Sequence, residues 1–124
     1  MSEYSFKLKK GTDDEKVFSL FTVKDDVKTA YDMTGFTAAM QIRQTPYSPK
    51  AIDSFTTSNG KLVIDSTAGK ITVKFSHKET EQYPVATLVY DIELTNASGE
   101  KTRPIHGRIK VLPEVTKIEP NESN

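Results

Sequence analysis

The chain has 124 residues, and its 17 basic side chains balance its 17 acidic ones. A length of this order fits one domain, so we expect residues 1–124 to form a single folding unit. Charges of both signs are mixed along the chain, which argues against nucleic acid or an anionic membrane as a partner. No cysteine is present, which excludes disulfides, thiolate metal sites and cysteine nucleophiles.

The sequence predicts neither a membrane span nor a secretory signal. No apolar run approaches the ~18 residues that a transmembrane helix needs. The first residues, Met1 to Tyr4, lack a basic stretch followed by an apolar one. We therefore expect a soluble protein that is made in the cytoplasm and has no membrane partner.

The first part of the chain predicts three strands. Apolar residues alternate over residues 4–8, which indicates a strand that ends at residues 10–11. Residues 17–23 are apolar on both faces, which is typical of a central strand covered on both sides or of a strand that meets a partner. After a turn at residues 25–26 and an irregular lead, a third alternating strand covers residues 36–42.

The middle of the chain predicts a hairpin and then a further strand. Asn59-Gly60 is the strongest short hairpin signal, between a weak strand over residues 51–57 and its return over residues 62–64. A turn at residues 68–69 leads into a strand that ends at Phe75.

The last part of the chain predicts a short helix and a closing hairpin. Ser76 followed by Glu79 is a capping-box pattern, which predicts one short helical segment over residues 77–82. Alternating strands follow over residues 88–94 and 105–111. With about eight strands and no helix long enough for a crossover, the sequence predicts an all-β, antiparallel β-sandwich of the immunoglobulin-like or Greek-key kind, with a jelly-roll variant as the alternative.

The residues that could carry chemistry form no recognisable site. The two histidines, His77 and His106, belong to no set of ligands at metal-binding spacing. The acidic clusters at residues 13–15 and 25–26 lack the spacing and the glycine of a calcium loop. No nucleophile elbow and no glycine-rich phosphate loop occurs. We therefore expect no catalytic residue, no metal and no cofactor, and a protein that is not an enzyme.

Three tyrosines in predicted loops offer an alternative function. An exposed ring of Tyr31, Tyr47 or Tyr83 could stack on a sugar, as in a carbohydrate-binding module that contacts a host surface glycan. The other interpretation is that Tyr31 and Tyr83 pack over the ends of the sandwich, which leaves Tyr47 unexplained.

The remaining signal is a surface for other proteins. Small sandwiches expose edge strands, and apolar edges are templates for pairing with another chain. The predicted contact residues lie in the two terminal segments and in the apolar strand. They are Tyr4, Phe6, Phe18, Phe21, Ile118 and Pro120.

Several segments resemble a recurring pattern of tailed-bacteriophage proteins. Residues 31–43 are similar to an Asp-Leu-Thr-Gly-Tyr-Thr motif followed by an alternating Met-x-Ile-Arg strand. Residues 64–73 resemble an Asp-x-x-x-Gly-x-Ile hairpin, and residues 89–95 with 107–116 resemble a closing hairpin. The likeness covers about residues 30–117.

The resemblance is to small phage virion proteins and to the N-terminal attachment domains of some upper baseplate and tail-fibre proteins. It implies a non-enzymatic structural component of the virion, acting as a tail, baseplate, neck or collar adaptor or as a decoration protein. It also implies other virion proteins as partners, including capsid proteins, in a multi-copy symmetric assembly and a homo-oligomer. We expect the protein to reach the virion from the host cytoplasm, and a neighbouring subunit to hold its polar C-terminal segment, residues 117–124.

Overall fold

The structure, a computed structural model, describes residues 2–117. Within this range the chain forms eleven strands and one short helix, α1 (His77–Thr80). The strands are β1 (Ser2–Glu3), β2 (Phe6–Lys9), β3 (Asp14–Ser19), β4 (Phe21–Lys24), β5 (Val27–Ala30), β6 (Thr37–Arg43), β7 (Asp53–Thr56), β8 (Leu62–Asp65), β9 (Lys70–Phe75), β10 (Thr87–Thr95) and β11 (Lys101–Leu112). The number exceeds the predicted eight because β1 and β5 were not foreseen and because residues 17–23 fall into two strands.

The strands form two facing sheets and a separate hairpin. The larger sheet has the order β1–β11–β10–β6–β7, with β2 also paired to β11. The smaller sheet has the order β3–β9–β8, and β4 pairs only with β5. The orders β3–β9–β8 and β6–β10–β11 are those of strands B-E-D and C-F-G in an immunoglobulin-like sandwich. The predicted all-β sandwich is therefore confirmed.

The core lies between the two sheets and follows the period-two alternation of the sequence. In β10, Leu88, Tyr90, Ile92 and Leu94 point inward and are buried, while the residues between them are more exposed. Strands β6, β9 and β11 alternate in the same way. This one-sided burial explains why an apolar fraction of only 35% is enough for a two-layer fold.

The N-terminal strands depart from the predicted antiparallel pairing. Both β1 and β2 run parallel to β11, with Glu3 opposite His106 and Phe6 opposite Ile109. Between these pairs the backbone of Tyr4 passes so close to Gly107 that a Cβ there would overlap the Tyr4 carbonyl. Gly107 therefore lets the first strand close one edge of the larger sheet.

The Asn59-Gly60 turn is present, but it does not close a hairpin. Strand β7 before it pairs with β6, and strand β8 after it pairs with β9 in the other sheet. The Asn59 side-chain oxygen accepts the N–H groups of Thr56 and Lys61, at 3.0 Å each. The turn thus carries the chain from one sheet to the other. The Asn-Gly sequence alone does not distinguish such a turn from a hairpin turn.

The predicted helix over residues 77–82 is observed as α1, but its cap comes from elsewhere. Ser76 occupies the N-cap position without a side-chain capping hydrogen bond. Instead the Asp13 carboxylate accepts the His77 N–H at 2.7 Å, and the same oxygen lies 3.0 Å from His77 Nδ1. These hydrogen bonds, with the backbone one the largest cause, lower the pKa of Asp13. Asp13 therefore ties the start of β3 to α1.

Candidate interaction surface

A groove runs along one side of the sandwich, between the edges of the two sheets. Its walls are the start of β2 with the two residues before it, on the side of the larger sheet, and strand β3 of the smaller sheet. Its volume is about 450 Å³. We call it the edge groove, and its lining residues are Tyr4, Ser5, Phe6, Lys16, Val17, Phe18, Ser19 and Phe21.

Packed aromatic rings form the floor of the edge groove. Phe18 is only 6% exposed, and the Tyr4 ring meets it edge-on with 5.6 Å between centroids. The Phe6 ring contacts Tyr90 in the same manner at 5.5 Å. Phe18 therefore belongs to the core, which corrects its place among the predicted contact residues: it supports the groove more than it protrudes.

The N-terminal wall of the groove is fixed by a buried tyrosine. The Tyr90 hydroxyl donates a hydrogen bond to the Tyr4 carbonyl, across the close approach at Gly107. Burial raises the pKa of Tyr90, so the phenol stays protonated and remains a donor. The Ser5 hydroxyl accepts the Arg108 N–H at 3.1 Å. The wall is thus held by hydrogen bonds as well as by apolar contact.

Lys16 places a charge at the mouth of the groove. Its ammonium lies 3.3 Å from the Asp14 carboxylate and 5.3 Å from the centroid of the Phe6 ring. A charged side chain that points inward from an edge strand discourages indiscriminate pairing with other strands. The groove therefore has an apolar floor and a charged rim.

The apolar run at residues 17–23 is not a central strand, because among the described strands β3 pairs with β9 alone. The run breaks at Leu20, whose N–H donates to the Gly69 carbonyl at 2.8 Å. The Leu20 carbonyl in turn accepts the Tyr31 N–H at 2.9 Å. Of the two sequence interpretations, the covered central strand is wrong, and the strand that meets a partner stays a prediction.

Beyond Leu20 the chain forms a hairpin whose side chains are largely exposed. Within residues 2–117, strands β4 and β5 pair with each other only, with Phe21 opposite Ala30 and Val23 opposite Lys28. Phe21 is 51% exposed and Val23 62% exposed. The hairpin therefore presents apolar side chains that the described part of the chain does not cover.

Four of the predicted contact residues meet at the edge groove. Tyr4 precedes β2, the other three lie on β2, β3 and β4, and all four line the same cavity: Tyr4, Phe6, Phe18 and Phe21. Ile118 and Pro120 lie outside the described residues. The sequence prediction did not include Val17, although its alternation with Phe21 on one face was a signal that could have identified it.

The structure does not bring the three loop tyrosines into one site. Tyr83 is 2% exposed, and its hydroxyl donates to Asp53, so its ring is not available to a sugar. Tyr31 is half-buried and packs edge-on against Phe36 at 5.8 Å. Only Tyr47, which is 93% exposed, presents its ring to solvent.

A polar network ties the Tyr83 region together. Lys61 Nζ lies 2.6 Å from Asp53 and also bonds Glu79, while it stands 4.3 Å from the centroid of the Phe55 ring. Burial opposes the charge on Lys61, but the hydrogen bonds to both carboxylates prevail and raise its pKa. Burial likewise raises the pKa of Tyr83. Each group has a partner, so the network has the character of a brace between α1 and the turn at residues 57–61.

The outer face of the larger sheet forms a second, wider concavity of about 790 Å³ that sequence reasoning missed. Its lining contains small side chains such as Ala39, and three of its charged side chains pair: Arg103 lies 2.9 Å from Glu93 and 3.6 Å from Asp91. Tyr90, the one tyrosine of the lining, is buried and does not present its ring to this face.

Residues 2–117 contain no group of three or more histidine, aspartate or glutamate side chains that could hold a metal ion. Nor does any helix in this range have the length and apolar character needed to cross a membrane.

Comparison with known proteins finds no family model that matches the chain and no curated protein that matches its sequence.

Proposed function

We propose that this chain is a non-enzymatic structural component of a tailed-phage virion and acts by protein–protein assembly. The observation that carries the proposal is the edge groove, where Tyr4, Phe6, Phe18 and Phe21 meet beside an open strand edge. Aromatic anchors and unpaired strand edges are typical of surfaces that bind other proteins. The resemblance to phage proteins favours virion partners in the tail, baseplate, neck, collar or capsid.

The proposed mechanism is surface complementarity without chemical turnover. Phe6 and Phe18 form a floor that is already fixed by the core, so a partner would not need to order it on binding. Tyr4 and Val17 give the rim exposed apolar area. In a symmetric assembly each copy repeats the same contact, and many modest contacts then act together.

The proposal is tested on purified phage particles from the source of the chain. We expect the protein to copurify with intact particles at a fixed copy number, and a gold-labelled antibody to mark one location on them. A protein that is found only in fractions without particles would contradict the virion assignment.

The role of the groove is tested by Phe21→Lys, with Val63→Lys as the matched control. Both substitutions place a lysine on an exposed apolar position of a strand, but Val63 lies on β8, away from the groove. We expect only Phe21→Lys to lower incorporation into particles. Equal incorporation of the two variants would rule out this surface as the contact.

The C-terminal segment is tested by a chain that ends at Lys117, which removes the predicted contact residues Ile118 and Pro120. We expect the shortened protein to fold and to lose incorporation, because a neighbouring subunit is proposed to hold this segment. Normal incorporation of the shortened chain would assign all contacts to residues 1–117.

A carbohydrate-binding module is the second candidate, and the presentation of Tyr47 favours it. The loop that carries this ring is fixed by its own hydrogen bonds: the Ser48 carbonyl accepts from Arg43 at 2.8 Å, and the Tyr47 N–H donates to Thr45 Oγ1 at 3.2 Å. Binding of the purified protein to a glycan array, lost in Tyr47→Ala, would support this function. A blank array would exclude it for the glycans tested.

A further inference from the structure

The open edge of the smaller sheet extends from β3 into β4. Leu20 donates its N–H to Gly69, next to β9, and accepts from Tyr31, next to β5. Both partners therefore lie on the same side of the chain. The opposite edge of residues 14–24 has no strand partner among the described residues. In an immunoglobulin-like sheet of order A-B-E-D, that position next to strand B is filled by strand A.

The backbone groups on this open edge can be identified from the alternation of a strand. The backbone N–H and C=O groups of Leu20 bond Gly69 and Tyr31. The N–H and C=O groups of the other even-numbered residues in 14–24 therefore also point toward β9 or β5. The odd-numbered residues from Glu15 to Val23 then face the open side. Glu15 agrees with this assignment, since its N–H finds only the neighbouring Asp14 carboxylate, at 2.8 Å.

The same odd-numbered positions carry the exposed apolar side chains of the edge. Val17 is 56% exposed, and Phe21 and Val23 are exposed to a similar degree. Ser19, between Val17 and Phe21, is small. A strand laid along this edge would gain backbone hydrogen bonds and apolar cross-strand contacts together.

A second copy of the same segment complements this edge. In an antiparallel pairing centred on Ser19, all of residues 14–24 overlap, and only odd-numbered residues exchange hydrogen bonds. This register places Asp14 opposite Lys24 of the second copy, so that opposite charges meet at both ends. It also places Val17 opposite Phe21 of the second copy. In the register that pairs all of residues 14–24, opposite charges therefore meet at the ends and apolar side chains meet between them.

We propose that the chain forms a two-fold dimer by antiparallel pairing of its β3–β4 edges about Ser19. The dimer gives the proposed assembly role a specific contact. It rests on that role for one premise, that this edge contacts another chain. The pairing joins β3 of each copy to β4 of the other, which produces one continuous sheet. The dimer is then a symmetric building block.

Cysteine cross-linking tests the register directly, because the natural chain has no cysteine. The two copies of Ser19 would form a hydrogen-bonded pair with Cα atoms about 5.5 Å apart, within the distance range of disulfides. We expect Ser19→Cys to form a disulfide-linked dimer under mild oxidation, and Val63→Cys to remain a monomer. Absence of the Ser19→Cys dimer, or equal cross-linking of both variants, would overturn the proposal.

Charge reversal gives a second test, in which the double variant controls for misfolding of the single ones. Asp14→Lys and Lys24→Asp should each weaken dimerisation by about fivefold, measured by sedimentation, because like charges then face each other at both ends. The double variant should restore it. If the double variant is as weak as the single ones, or if the wild-type chain is a monomer at every concentration, the proposed dimer is wrong.

These measurements use the purified chain alone, whereas the virion role is measured on particles. A monomeric chain that still incorporates into particles would refute the dimer and leave the proposed function standing. A dimeric chain that is absent from particles would refute the virion role and leave the dimer standing.

Discussion

The hairpins β4–β5 and β8–β9 adjoin at Gly69 but differ in what covers them. Each has two strands of four to six residues, and each is antiparallel. The inward side chains of β8–β9, among them Leu62 and Ile71, are fully buried, whereas those of β4–β5 remain exposed. A two-stranded hairpin alone is marginal in water, so β4–β5 depends on its base and its turn. Its apolar residues contribute little to folding and are free to serve a contact with another chain.

The largest test of this contrast compares Ile71→Ala with Val23→Ala. Ile71 is fully buried opposite Phe18 and Ile64, so its truncation should lower the free energy of unfolding by about 2 to 5 kcal/mol. Val23 is exposed, and its truncation should change stability by less than about 0.5 kcal/mol. Urea unfolding at a concentration where the chain is monomeric measures both. A cost for Val23→Ala near that of Ile71→Ala would mean that the core covers the β4–β5 hairpin.

The joint between the hairpins is tested by Gly69→Ala, with Gly60→Ala as the matched control. Both glycines have a positive φ, +66° at Gly69 and +79° at Gly60, so each alanine carries the backbone strain. At Gly69 the new Cβ would also lie 2.7 Å from the Leu20 carbonyl oxygen and 2.8 Å from the Tyr31 nitrogen, whereas Gly60 has open space. We expect a loss of about 1 kcal/mol at Gly60 and of about 2 to 4 kcal/mol at Gly69. Equal losses in the unfolding free energy would show that the close backbone approach is unimportant.

The contrast also explains what the sequence could predict. Strands β6, β9 and β10 were predictable because each alternates strictly and buries one face. The run at residues 17–23 offered two apolar faces, and no local feature shows that Phe18 would turn toward Phe6 and the core. Choosing the inner face requires knowledge of the facing sheet, which comes from distant parts of the chain.

Pairings between distant segments were hidden for the same reason. The parallel pairing of β2 with β11 joins Phe6 to Ile109, and neither segment carries a local sign of the other. The sequence therefore allowed the aromatic residues of the edge groove to be selected, but not the prediction that they lie together. These residues could be selected by type, while their meeting depends on Gly107 admitting the first strand.

A smaller effect is expected from Asp26→Gly, which acts on the exposed hairpin alone. Asp25 and Asp26 have φ values of 51° and 62°, the left-handed pair that a two-residue hairpin turn requires and that glycine adopts without strain. The change should stabilise β4–β5 by ~0.5 kcal/mol and slow amide exchange across the Thr22–Thr29 pair. The global unfolding free energy should rise by no more than this amount. Faster exchange would mean that the Asp26 side chain itself holds the turn.

The smallest expected effect concerns how β3 is anchored at its start and needs acid pH to appear. The pKa of Asp13 is lowered below its ordinary value of 3.8, chiefly by the backbone hydrogen bond from His77. A carboxylate with a depressed folded-state pKa contributes stability that is present above the unfolded value and is lost as the pH falls through the folded one. Between about pH 5 and pH 2, therefore, the urea midpoint should fall less steeply in Asp13→Asn than in the wild-type chain. Asp26→Asn, which removes an equal charge from the exposed turn, should retain the wild-type slope; if both variants flatten the slope equally, the cause is net charge and not the Asp13–His77 contact.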